Sequence, residues 1–180
     1  AWNFGDGNNS ALQFPAHLYG SDGSFNVQLV VVSDSGCTDS VSHLIYVNPA
    51  PVAAFSTNNN CLFDTSFFTN NSTVGSGNIV AWSWDFGDGN GVSTISNPFY
   101  LYSGDGSYAV ELIAVTDSSC SDSVSQTIQI YAMPGAAFST SNICLYDSAN
   151  FADLTTISNG TFTWTWDFGD GSPPVVVIAP

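Results

Sequence analysis

Lysine and arginine are absent from all 180 residues, and Glu111 is the single glutamate among 15 acidic residues, so the formal net charge is −15. Average usage would place roughly 20 basic residues in a chain of this length. Their absence excludes the cationic contacts that nucleic acid requires and the basic patches that dock on anionic membranes. It also excludes salt bridges to lysine or arginine, a cationic grip on an oxyanion or phosphate, and any tryptic site. The plain reading of such acidity is solubility through self-repulsion. Long apolar runs are missing as well: Val175–Ala179 is far too short to span a bilayer. Histidine occurs only at His17 and His43, and no Ser–His–Asp arrangement recurs. Catalysis needs convergent groups of matched pKa. The expectation is a chain that is not an enzyme, with no nucleic-acid partner and no membrane insertion.

What is present is enough for a core: 44% of residues are hydrophobic and 14% aromatic. One hexamer organises them. Trp-Asp-Phe-Gly-Asp-Gly stands at 84–89 and again at 166–171, and Trp-Asn-Phe-Gly-Asp-Gly at 2–7, with the three tryptophans spaced by 82 residues. A fixed interval is a repeat signal. Trp84 and Phe86 share a parity, so on a strand both enter one face while Asp85 enters the other. Gly87 and Gly89 flank Asp88, and glycine with aspartate is turn chemistry. The hexamer predicts a strand end followed at once by a tight turn.

The same rhythm runs along the chain. Phe25, Val27, Leu29 and Val31 alternate, then the turn Ser33–Gly36, then Val41, Ile45 and Val47. Tyr108, Val110, Leu112 and Ala114, followed by Val124, Ile128 and Ile130, repeat this hairpin 83 residues on. Ala53–Phe55, the turn Asn58–Asn60, the set Ser66, Phe68, Asn70 and Ser72, the loop Gly75–Asn78, and the signature strand Val80, Trp82, Trp84 and Phe86 fill the rest of that repeat. Ala136–Phe138, Phe151 and Phe162–Phe168 restart it. No stretch shows helical periodicity with caps. About seven short strands between Gly, Pro and Asn turns predict an all-β sandwich. The chain divides into 1–49, the back part of a module; 50–132, a complete module; and 133–180, the front part of a third. A chain that opens inside a strand is expected to be a window on a longer polypeptide. The junctions Asn48–Pro51 and Ala132–Gly135 are short and carry proline, which resists collapse into a flexible coil.

The hexamer, the Pro-x-His-x-Tyr run at Pro15, His17 and Tyr19, and the Tyr-x-Val-x-Leu strand at 108–112 together resemble the polycystic kidney disease (PKD) domain. That resemblance implies tandem immunoglobulin-like sandwiches arranged end to end. Two cysteines per module also resemble the large surface proteins of Bacteroidota. The implied role is structural, as a stalk, adhesin shaft or filament outside the cell, with neighbouring repeats as partners. The alternative is a carbohydrate-binding accessory region of a secreted hydrolase, which would contact surface glycans. The number of modules in the full gene discriminates them.

Five kinds of site follow. Asp85, Asp88, Asp167 and Asp170 sit in Gly-rich turns that can offer calcium carboxylate and carbonyl oxygens, so calcium is the one cofactor in view. The favoured reading is that they bond turn amides, since the Asp-x-Asp-x-Asp ladder of a calcium loop is absent. Phe99 and Tyr100 are the candidates for stacking on sugar, although alternation requires one of an adjacent pair to be core. Ser40, Ser123 and Ser148 follow aspartate and precede an aliphatic residue, as in the O-glycan acceptors of Bacteroidota. Asn8, Asn70, Asn71 and Asn159 fit Asn-x-Ser/Thr. Cys61 and Cys144 begin a second strand, and Cys37 and Cys120 lie in final hairpins, with no zinc spacing among them. The two types are expected at opposite ends of a module, which predicts bridges across junctions rather than Cys61 to Cys120.

Overall fold

The computed structural model describes residues 1–58 and 60–178. Asn59 of the expected Asn58–Asn60 turn and Ala179 of the final apolar run lie outside them. All 16 elements among the described residues are strands. The chain forms two compact units. One comprises Ala1–Phe55, Asn71–Ser83 and Leu112–Val124; the other comprises Ser56–Asn70, Trp84–Glu111 and Ser125–Pro180.

The first unit opens with an antiparallel sheet of β1 (Trp2–Asn3), β2 (Asn9–Ser10), β3 (Gly23–Val32) and β4 (Thr38–Val47), in the order β2-β1-β3-β4. β3 and β4 pair over their whole length, from Gly23 opposite Val47 to Val32 opposite Thr38. The expected turn closes them, with Gly36 N donating to Ser33 O at 3.0 Å. Gly36 has φ +82°, a conformation open to glycine without steric penalty.

The middle repeat supplies β5 (Phe55–Thr57), β6 (Asn60–Cys61), β7 (Ser66–Asn70), β8 (Ile79–Asp85), β9 (Val92–Ser93), β10 (Phe99–Tyr100), β11 (Gly106–Thr116) and β12 (Ser121–Tyr131). They form a three-stranded sheet, β10-β7-β5, and a five-stranded sheet, β6-β12-β11-β8-β9. Three details depart from the sequence expectation. The first strand starts at Phe55 rather than Ala53, because the amides of Ala53 and Ala54 donate to side chains, Asp122 Oδ2 (2.9 Å) and Ser72 Oγ (3.2 Å). The signature strand ends at Asp85 rather than Phe86, because Phe86 N turns to donate to Gly91 O at 3.0 Å. The inner face of β8 is also shorter than its parity implied: Trp84 is fully buried, Trp82 is half-buried and Val80 is exposed.

In the second unit Phe68 of the three-stranded sheet packs on Trp84 and Phe86, with ring centroids 5.7 and 5.1 Å away. Tyr102, Val110, Ile128 and Ile130 of the same unit are buried as well. Aromatic groups of this size dominate the energetics of a small core. The last repeat continues the unit with two hairpin-like pairs. β13 (Phe138–Thr140) runs against β14 (Phe151–Asp153), and β15 (Thr163–Trp166) against β16 (Val175–Ile178). No helix among the described residues is long and apolar enough to cross a membrane.

Candidate functional site: the Gly-Asp-Gly turn

The turn after the signature strand appears once in each repeat, and the middle copy shows how it is built. Asp85 Oδ1 accepts from Gly87 N at 2.8 Å. Asp88 Oδ1 accepts from the amides of Asn90 (3.0 Å) and Gly91 (2.8 Å), while Oδ2 accepts from the Tyr100 hydroxyl at 2.6 Å. Tyr100 lies flat on Phe86, with centroids 4.3 Å apart and planes at 11°. The Tyr102 hydroxyl donates to Phe86 O at 2.9 Å. Gly87 is required twice over. Its φ is +79°, and a Cβ there would stand 2.4 Å from Ala109 O. Gly87 thus lets the turn sit down on the backbone of β11.

The first repeat builds the same turn with one substitution. Asn3 Oδ1 accepts from Gly5 N (2.9 Å), and Asp6 Oδ1 from Asn8 N (3.0 Å). The place of Tyr100 is taken by His17, whose Nε2 lies 2.7 Å from Asp6 Oδ2. Its ring stacks on Phe4 at 4.1 Å and 4°. The Tyr19 hydroxyl donates to Phe4 O at 3.0 Å, as Tyr102 does to Phe86. In the third repeat Asp167 accepts from Gly169 N and Asp170 from Ser172 N, both at 2.9 Å.

The electrostatics follow from these bonds. The hydroxyl of Tyr100 holds the Asp88 carboxyl below its ordinary range, and the same bond, helped by burial, pushes the phenol of Tyr100 up to about 12. Bonding to His17 takes Asp6 down to about 2. Burial raises Tyr102, and the bond from Ser172 lowers Asp170. A hydrogen bond donated to a carboxylate favours its charged form.

In every copy these aspartates bond amides of their own turn. Each aspartate proposed for calcium already accepts turn amides, and no group of three or more His, Cys, Asp or Glu side chains among the described residues is placed to share a metal. The structure also divides the proposed sugar pair. Tyr100 is half-buried and committed to Asp88 and Phe86, whereas Phe99 is 68% exposed. Beside Phe99, across the β10–β7 pair, stands Phe67, 62% exposed, with ring centroids 6.5 Å apart. Phe67 was missed because its neighbour Phe68 carries the core parity, and the outward face of a strand has no signature of its own. Ser40, Ser123 and Ser148 are all exposed. The link from the turn aspartate to the aromatic eleven or twelve residues on was also missed, although His17 and Tyr100 occupy one repeat position.

A sandwich whose strand–turn unit recurs with the same bonds defines an all-β protein of tandem immunoglobulin-like modules. The chain belongs to the PKD domain family, whose model matches residues 1–48 and 46–132. It is 37% identical over 107 residues to the pre-pro-metalloprotease PrtV of Vibrio cholerae, covering 59% of this chain and 10% of that protein. It is 38% identical over 47 residues to a microbial collagenase of Vibrio alginolyticus, covering 26% of this chain and 6% of the collagenase. The crystallised PKD1 domain of the V. cholerae metalloprotease is 40% identical. That match takes in 45% of this chain and 96% of the domain, with a TM-score of 0.42. The chain spans about a tenth of the length of the metalloprotease it matches.

Proposed function

We propose that this chain is a non-catalytic, load-carrying segment of a longer extracellular or cell-surface protein. Modules 1–49, 50–132 and 133–180 follow one another as a shaft, with neighbouring repeats as their main partners. The observation that supports this is how the chain is held where one module gives way to the next. Asn48 O lies 4.0 Å from Cys120 Sγ, Val52 bridges Thr73, and Ala53 N is tied to Asp122. At the next junction Gly135 bridges Thr156, and Ser158 Oγ donates to Asp105 Oδ1 at 3.0 Å. Proline and docked backbone give a stiff connection rather than a flexible linker. Scattering or micrographs of the chain should give a narrow distribution of inter-module angles. A broad one would refute the shaft.

The Asp-Ser-aliphatic sites belong to the same reading if the source is one of the Bacteroidota; the relatives named above are Vibrio proteins. Ser40, Ser123 and Ser148 would then carry O-glycan. An intact mass equal to that of the bare polypeptide would remove the idea.

A second reading has its own observation. The exposed Phe67 and Phe99, neighbours with ring planes tilted 52° to each other, offer aromatic faces for stacking on a neutral sugar ring. The chain would then be a carbohydrate-binding accessory region. Retention on neutral polysaccharide that is lost in Phe99→Ala would favour it, and equal retention of both forms would dismiss it.

A further inference from the structure

The four cysteines take no part in the signature turns, and none is bonded to another. Their surroundings are specific all the same. Cys61 closes β6, which runs parallel to the end of β12: Asn60 faces Ile130 and Cys61 faces Tyr131, with Leu62 N donating to Tyr131 O at 2.8 Å. Cys120 lies in the turn before β12, with Sγ 4.0 Å from Asn48 O. Asn48 and Tyr131 are one position of the repeat, 83 residues apart; Asn48 directly follows β4 and Tyr131 ends β12. Cys61 shows where the first-turn cysteine of a repeat stands: beside that residue. Cys120 shows where the final-hairpin cysteine of the following repeat stands: against that same residue.

We infer that a disulfide crosses each junction between repeats, joining the first-turn cysteine of one repeat to the final-hairpin cysteine of the next. In this chain Cys120 is the hairpin member at the Asn48 junction, and Cys61 is the first-turn member at the Tyr131 junction, to be joined to the hairpin position 83 residues after Cys120. A bridge inside one module is excluded by the register. Cys61 faces the last residue of β12 and Cys120 precedes its first. Eleven residues of strand span about 36 Å, whereas a disulfide tolerates about 7 Å between Cα atoms. The oxidant is a small disulfide of the oxidised-glutathione class. One cysteine thiolate attacks it and expels a glutathione thiolate, leaving a mixed disulfide. The second cysteine thiolate then attacks the protein sulfur and expels the other. Two protein thiols become one disulfide and one oxidised glutathione becomes two reduced, with the protons passing to solvent or to the leaving thiolates.

The inference rests on the tandem reading above, and its test is separate from the angle measurement. Placing a second copy of residues 50–82 directly before Ala1 completes the first repeat and supplies the missing first-turn cysteine. After exposure to oxidised glutathione the extended chain should lose two free thiols and about 2 Da of mass. Peptic mapping should join the added cysteine to Cys120. Cys120→Ser should abolish this and Cys37→Ser should not. The unextended chain with Asn48→Cys provides a check that needs no added segment: the new thiol, at the residue Cys120 touches, should also pair with Cys120. Unreacted Cys120 in both proteins, or Cys120 joined instead to Cys37, Cys61 or another chain, would overturn the bridge. Either result would leave the shaft to the scattering measurement.

Discussion

The middle and last repeats carry the same aromatic cluster in different surroundings. Phe68 stands 5.7 Å from Trp84 and 5.1 Å from Phe86; the equivalent Phe151 stands 5.9 Å from Trp166 and 5.3 Å from Phe168. The two signature rings are 6.5 Å apart in one and 6.3 Å in the other, nearly parallel in both. Yet Phe68 and Phe86 are 2% and 1% exposed, and Phe151 and Phe168 are 40% and 46%. Local sequence sets the arrangement of the rings. Phe86 is also covered from farther along the chain, with Tyr100 stacked on its ring and the Tyr102 hydroxyl on its carbonyl, two positions with no counterparts among residues 133–178. The ring geometry is thus the same with and without that covering.

The largest expected effect separates those two properties. Phe68→Ala should destabilise the chain by about 3–5 kcal/mol, the range for deleting a buried phenylalanine. Phe151→Ala should cost about 1 kcal/mol, since half-exposed rings have already kept much of their hydration. Urea unfolding of the two variants decides it, and equal losses would mean that the clusters share one environment.

Next come the turn glycines. Gly87→Ala faces both a positive φ, worth about 1–2 kcal/mol, and the Ala109 carbonyl, whose displacement adds a similar amount. Gly169→Ala has φ +72° but nothing within 4 Å of its Cβ. It should show only the conformational part. Thermal unfolding of the pair therefore measures how much of the turn is local. A Gly87→Ala no worse than Gly169→Ala would show that the turn does not rest on β11.

The Asp–Tyr and Asp–His versions of the turn sharpen the comparison further. Tyr100→Phe removes a hydrogen bond at a part-exposed site and should cost about 1 kcal/mol. Its larger signature is spectroscopic. The phenol of Tyr100, raised to about 12, supports the fold fully below pH 10, and that support is lost as pH rises through 12. Asp88→Asn should return this titration, followed by ultraviolet absorbance, toward 10.

The smallest effect concerns acid. Asp6 is depressed to about 2, so its contribution is present above its ordinary value of 3.8 and lost as pH falls toward 2. His17→Phe should move the Asp6 midpoint, read by carboxyl NMR shifts, back toward 3.8. An unmoved midpoint would show that His17 is only a neighbour.

Much of this was open to reading in the residues alone. The alternation of Phe25, Val27 and Leu29 gave β3, and Gly36 gave the turn after it, because a half-buried strand and a positive-φ turn each leave a mark in the residues that form them. The repeated hexamer marked the strand end and the Asx turn of Asp85. The absence of lysine and arginine, and with it the net charge of −15, needed no structure. Tertiary structure decided the rest. It showed that Asp88 is held by Tyr100, that Phe67 stands outward beside Phe99, and that Trp84 is sealed. It also placed Cys61 and Cys120 against the same residue of the repeat. Each of these depends on which distant strand lies alongside. A strand's own sequence fixes which of its faces is apolar, but its neighbours and register are fixed by the packing of the whole sheet.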